Sequence, residues 1–198
     1  ALRLSGGTAI IAEQSASMKN ELSCLTLRAA ADAADAEAMS EASAPGGGAA
    51  LAAAGFWTSM EVVLLSLPSF APACTVRLPG DTIPRSLLFF SGAASITVGG
   101  PEYLLCAMGD GRLLSFSLDG DAQLGSARMA VLGSQPISLT RVDVGGVPAV
   151  FASGDRPTLI HISDGKLLYS SVNLGGAHCV APFSSASLPD TLAIASED

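Results

Sequence analysis

Lysine is nearly absent from this 198-residue chain. Lys19 and Lys166 are the only two, set against eight arginines, eighteen acidic residues and a formal net charge of −8. The arginines are spaced singly, so there is no basic stripe. Nucleic-acid backbones are held by clustered cations that neutralise phosphates. Their lack argues against direct DNA or RNA binding, and an acidic surface suits protein partners better. Aromatics make up 5% of the chain and charged residues 14%, whereas 49% is hydrophobic, so the apolar content is aliphatic and alanine-rich. That balance argues against disorder for most of the chain. Cys24, Cys74, Cys106 and Cys179 form no C-x-x-C pair; they read as free thiols buried in strands, in a reducing compartment. No basic region followed by a long apolar core opens the sequence. The longest apolar stretches, near 49–57 and 62–67, are too short to cross a bilayer.

What is present is a repeated phrase: an apolar run, a turn, another apolar run. It occurs around Gly6, Thr58, Gly109 and Gly154, at intervals of 52, 51 and 45 residues. Such an interval holds about four short strands with their turns, the period of a β-propeller. Pro84 and Pro136 support the same register 52 residues apart, each just before a strand, where a missing N–H is tolerated. The pattern predicts about fifteen strands and no helix. The fold class is therefore all-β: a partial β-propeller of three to four four-stranded blades. The chain opens within a strand and ends where a further strand is expected, as a fragment of a longer multi-propeller protein would.

Individual segments follow from local chemistry. Residues 1–12 read as a hairpin about Gly6-Gly7, and 22–28 alternates as a strand. Residues 29–48, rich in alanine and ending in Pro45-Gly46-Gly47-Gly48, read as a flexible insertion. Pro68, Pro72 and Pro79 leave a short edge strand at 74–78. Gly109-Asp110-Gly111 lacks the Lys-Ser/Thr and helix of a phosphate loop, and reads as a β-turn. Ser163-Asp164-Gly165 echoes the Asp-box turn of glycosidase propellers without its downstream tryptophan, and reads as a hairpin turn.

Chemistry-bearing clusters are lacking. His161 and His178 have no second ligand at metal spacing and read as structural histidines. No G-x-S-x-G or paired acid/base can be picked out, so neither catalytic residues nor a cofactor or metal site is expected. Two residues stand out as partner-binding candidates. Trp57 reads as packed between blades or as an exposed anchor. Arg156 reads as a tie to a neighbouring loop or as an exposed contact for a partner.

An ordered set of blocks carries a family likeness. It includes Gly55-Phe56-Trp57-Thr58, Ile83-Pro84-Arg85-Ser86 and Tyr103-Leu104-Leu105-Cys106-Ala107-Met108-Gly109-Asp110-Gly111. It continues through Leu132-Gly133-Ser134-Gln135-Pro136, Ser153-Gly154-Asp155-Arg156-Pro157-Thr158 and Lys166-Leu167-Leu168-Tyr169-Ser170-Ser171-Val172-Asn173-Leu174. Over about residues 20–198 the chain resembles the damage-specific DNA-binding protein 1 family of multi-propeller scaffold subunits. The resemblance implies that 1–177 are later blades of the second, seven-bladed propeller and that 178–198 lead into the next. It implies a non-enzymatic adaptor that links a cullin-4 RING ubiquitin ligase to substrate-receptor proteins in DNA-damage recognition and nucleotide-excision repair. The expected location is the nucleus, with some cytoplasmic protein. Propeller subunits of splicing and polyadenylation complexes share the architecture and are the alternative. Residues 1–19, the stretch 29–50, Gly99-Gly100-Pro101 and Gly145-Gly146 depart from the family pattern.

Overall fold

The computed structural model describes residues 2–5, 9–12, 17–28, 50–92, 101–119, 122–183, 185–188 and 191–196. These contain sixteen strands and no helix. β1 (Leu2–Ser5) and β2 (Ala9–Ala12) form a hairpin. The first complete sheet is β3 (Leu22–Arg28), β4 (Leu51–Phe56), β5 (Glu61–Ser66) and β6 (Ala71–Arg77). The second is β7 (Pro84–Ser91), β8 (Glu102–Met108), β9 (Arg112–Leu118) and β10 (Arg128–Val131). The third is β11 (Ser138–Val144), β12 (Val147–Ser153), β13 (Thr158–Ser163) and β14 (Lys166–Ser171). A last hairpin joins β15 (Cys179–Phe183) to β16 (Thr191–Ala195). Each complete sheet is an antiparallel meander in chain order. The turn of the Gly6 repeat and the insertion at 29–48 lie outside the described residues.

The sheets stack because their central strands are apolar on both faces. All six residues of β4 are buried. Leu51 and Ala53 join the core shared with the second sheet, and Ala52, Ala54 and Phe56 turn to the opposite face. β8 repeats the division. Leu104, Cys106 and Met108 pack toward the first sheet, Leu105 and Ala107 toward the third. In β12, Val150 and Ala152 face back to the second sheet, while Ala149 and Phe151 face forward to Val180 of β15. A strand with period 2 and two buried faces reads as a continuous apolar run. Those runs are the repeated phrase of the sequence.

The first strands pack one on the next, β3 on β7, β7 on β11 and β11 on β15, while β6, β10 and β14 lie at the sheet edges. The approach is close. A Cβ on Gly55 would lie 2.7 Å from Cys24 Sγ and 3.1 Å from Pro84 Cγ of the next sheet.

Several boundaries differ from the sequence reading. β6 begins at Ala71 and runs through Pro72 rather than starting at Cys74. A bulge between Leu64 and Leu65 and the outer position of the strand accommodate the missing N–H. Pro148 lies inside β12 opposite Asp143, outside the Val150–Ala152 stretch that pairs with β13, so its lack of a donor breaks no ladder. Strands number sixteen among the described residues, against about fifteen expected.

The cysteines are all free and all in strands, but only Cys106 is buried; Cys24 and Cys74 are half-buried and Cys179 is exposed. Burial pushes the Cys106 thiol well above the ordinary range, with Cys24 nearby adding to the rise. Thiolate is the reactive form. Cys179 should therefore react first with a thiol reagent in the native protein, and Cys106 only upon unfolding. Mass mapping of labelled peptides against time checks this order; early labelling of Cys106 would contradict it.

Candidate docking face

The turn between the second and third strand of each sheet is the recurring geometric element of the repeat in this chain. It is 57–60 in the first sheet, 109–111 in the second and 154–157 in the third. The strand order puts all three at the same end of their sheets, beside the links that carry the chain from one sheet to the next.

Hydrogen bonds join these turns and links into one continuous rim. Leu78 N donates to Met60 O at 2.9 Å, so the first turn holds the outgoing link. Gly109 N donates to Ile83 O at 3.0 Å, and Thr82 Oγ1 donates to Asp110 Oδ2 at 3.0 Å, so the second turn holds the other end of that link. Asp110 is further fixed by Arg112, whose backbone N–H donates to Oδ1 at 3.2 Å and whose Nε lies 3.1 Å from Oδ2. Leu132 N and Gly133 N then donate to Gly111 O. Asp155 does in the third turn what Asp110 does in the second. Its carboxylate accepts from Ser134 N, Ser134 Oγ and Gln135 N at 2.8–3.4 Å. Gly154 O takes Ala177 N, and Pro157 O takes Val172 N, each at 2.9 Å.

Burial pushes the Asp155 carboxyl up, but the donors from Ser134 and Gln135 outweigh it and hold the group below its ordinary 3.8. A carboxylate whose folded value is depressed contributes stability above the unfolded value and loses it as pH falls through the folded one. The grip on the link should therefore loosen as pH drops below about 4. The protection factor of the Ser134 amide should fall in that window, and Asp155→Asn should remove this pH dependence. An unchanged profile in the variant would refute the assignment.

Two glycines in this rim have no room for a side chain. Gly111 has φ +81°, and a Cβ there would lie 2.2 Å from Gly133 O. A Cβ on Gly133 would lie 2.1 Å from Asp155 Oδ1. Gly111→Ala should destabilise by about 2 kcal/mol, combining the left-handed backbone with displacement of the link. Calorimetric melting checks this; a wild-type melt would mean that the link moves freely.

The structure places both sequence candidates on this rim. Trp57 occupies the first turn, its N–H bonded to Glu21 O at 2.9 Å and its surface 45% exposed. The expectation that it packs between blades is corrected: the described neighbours leave it outward. Arg156 is exposed in the third turn; Thr158 Oγ1 donates to its carbonyl at 3.1 Å. Among the described residues no carboxylate forms an ion pair with its guanidinium. The two are held by different sheets, and only the rim connects them.

Sequence reasoning missed a cleft of about 500 Å³ beside the third turn, lined in part by Gln135, Ser138, Ser153, Asp155 and His178. Its residues come from three separate segments, which no local motif signals. His161 projects from β13 opposite the Ile160 and Ile162 face, as alternation predicts. Among the described residues no group of three His, Cys, Asp or Glu could hold a metal ion, and no helix is long and apolar enough to cross a membrane.

Consecutive four-stranded meanders, stacked through both faces with first strands in contact, define a stretch of β-propeller. The family model described as the RSE1/DDB1/CPSF1 second β-propeller matches residues 2–198, and the chain belongs to this family. It is 46% identical over 148 residues to DNA damage-binding protein 1 of Oryza sativa subsp. japonica, covering 74% of this chain and 13% of that protein. Identity to DNA damage-binding protein 1a of Arabidopsis thaliana is 45% over 148 residues, with the same coverage. To DNA damage-binding protein 1 of Drosophila melanogaster it is 38% over 149 residues, covering 75% of this chain and 12% of that protein. The matched part thus spans only about 13% of the length of such relatives.

Proposed function

We propose that this chain belongs to a non-enzymatic adaptor that couples a cullin-4 RING ubiquitin ligase to substrate receptors in DNA-damage recognition and nucleotide-excision repair. It would act in the nucleus and also in the cytoplasm. Residues 1–177 are assigned to later blades of the second, seven-bladed propeller, and 178–198 to the passage toward the next. The observation that carries this reading is the 38–46% identity to proteins named DNA damage-binding protein 1.

Physics supports a binding role. The links and turns are cross-held, so loops on the rim are ordered before any partner arrives. Pre-ordering lowers the entropic cost of association, and exposed Trp and Arg are the residue types that most often anchor interfaces. Recovery of the tagged full-length protein from nuclear extract should bring down a cullin and a RING subunit. Recovery with splicing or polyadenylation subunits instead would favour the RNA-processing propeller reading. A Trp57→Ala/Arg156→Ala protein should lose about tenfold or more in partner affinity at an unchanged melting temperature.

A further inference from the structure

The chain's only two tyrosines and one of its two lysines converge on a single groove. The groove, about 300 Å³, runs between the edge strands β10 and β14 of the second and third sheets. Arg128 and Lys166 supply positive charge, Met129 and Leu168 apolar surface, and Tyr103 and Tyr169 phenols. It opens into a recess of about 100 Å³ where Arg128 and Tyr103 meet the hydroxyls of Ser115, Ser117 and Ser126. Among the described residues no carboxylate lines either space, in a chain with eighteen acidic residues.

We propose that this groove binds an extended peptide in which an acidic residue alternates with a large apolar one. Three features carry the assignment. The recess offers the hydroxyls of Ser117 and Ser126 beside the Arg128 guanidinium fork, a set that suits a carboxylate. Met129 is 57% exposed, Val131 71% and Leu168 44%, which is apolar surface left uncovered beside that recess. β10 and β14 have no further strand on their outer sides among the described residues, so an extended chain can add main-chain hydrogen bonds there. The wall itself is held in place: Tyr103 Oη donates to Gly165 O at 2.9 Å across the two sheets, and Ser115 Oγ donates to Arg128 O at 3.3 Å. Two cations are too few to follow a phosphate backbone. This inference is separate from the rim and does not depend on the proposed ligase role.

The test uses the full-length protein and fluorescence anisotropy with a labelled peptide alternating leucine and glutamate. A leucine–lysine peptide is the control. The glutamate peptide should bind at least about tenfold tighter and weaken as salt rises. Arg128→Glu with Lys166→Glu should reverse the preference, and Met129→Ser with Leu168→Ser should weaken binding of the glutamate peptide about tenfold. These side chains are exposed or at the groove edge, so melting temperatures should hold. The milder pair Arg128→Gln and Lys166→Gln serves if the reversal unfolds the protein, and should also weaken binding. Equal binding of the two peptides, no saturable binding of the glutamate peptide, or its displacement by oligothymidylate would overturn the proposal.

Discussion

Glu102→Ala should destabilise the protein by about 3–5 kcal/mol. Glu102 opens β8 in the second sheet and pairs with Arg28, the last residue of β3 in the first, across 74 residues of sequence. Both side chains are largely buried, 7% exposed for Arg28 and 15% for Glu102. Removing the carboxylate takes this partner from a guanidinium held between two sheets, where the interior cannot solvate the charge as water does. Replacing the pair together, Arg28→Met with Glu102→Leu, removes both charges and keeps the volume. That double variant should recover part of the loss. Urea midpoints of the wild type, the two single variants and the double variant measure it. A loss under about 1 kcal/mol in Glu102→Ala would assign the pair the weight of a surface ion pair.

Phe116→Ala should cost a comparable amount, about 3–5 kcal/mol. Phe116 is 1% exposed in β9 and belongs to the core between the first and second sheets, with Leu51, Leu64 and Leu104. Truncation removes the transfer free energy of the ring and leaves a cavity. The lining comes from paired strands of two sheets, which cannot close over it without breaking ladders. Phe116→Leu should recover more than half of the loss. Equal destabilisation by Phe116→Ala and Phe116→Leu would mean that shape, rather than burial, holds this interface.

Much of the architecture was legible because it is local. Strand-length apolar runs, Gly-Asp and Gly-Gly turns and the interval near 50 residues all follow from side-chain alternation and backbone sterics. Asp164 and Gly165 adopt φ of +48° and +72°, and Gly145 and Gly146 of +59° and +78°, as hairpin turns of that composition require. The edge strand β6 was shortened in the sequence reading because Pro72 looks like a stop; a bulge on an outer strand admits it. Trp57 stays open between a packed and an exposed reading in sequence, because nothing in Phe56-Trp57-Thr58 tells which side of a turn meets a neighbour.

The sequence alone determined an all-β array of repeated four-stranded units, acidic and poor in clustered catalytic groups. Such properties reside in the order of residues along each strand and turn. Tertiary structure decided what those units share: the Arg28–Glu102 pair, the clasp of Asp155 on Ser134, the cleft beside His178 and the Tyr103–Tyr169 groove. Each joins segments separated by 21 to 74 residues or drawn from adjacent sheets. Their juxtaposition is set by how sheets stack through both faces, a relation between units that no single segment encodes.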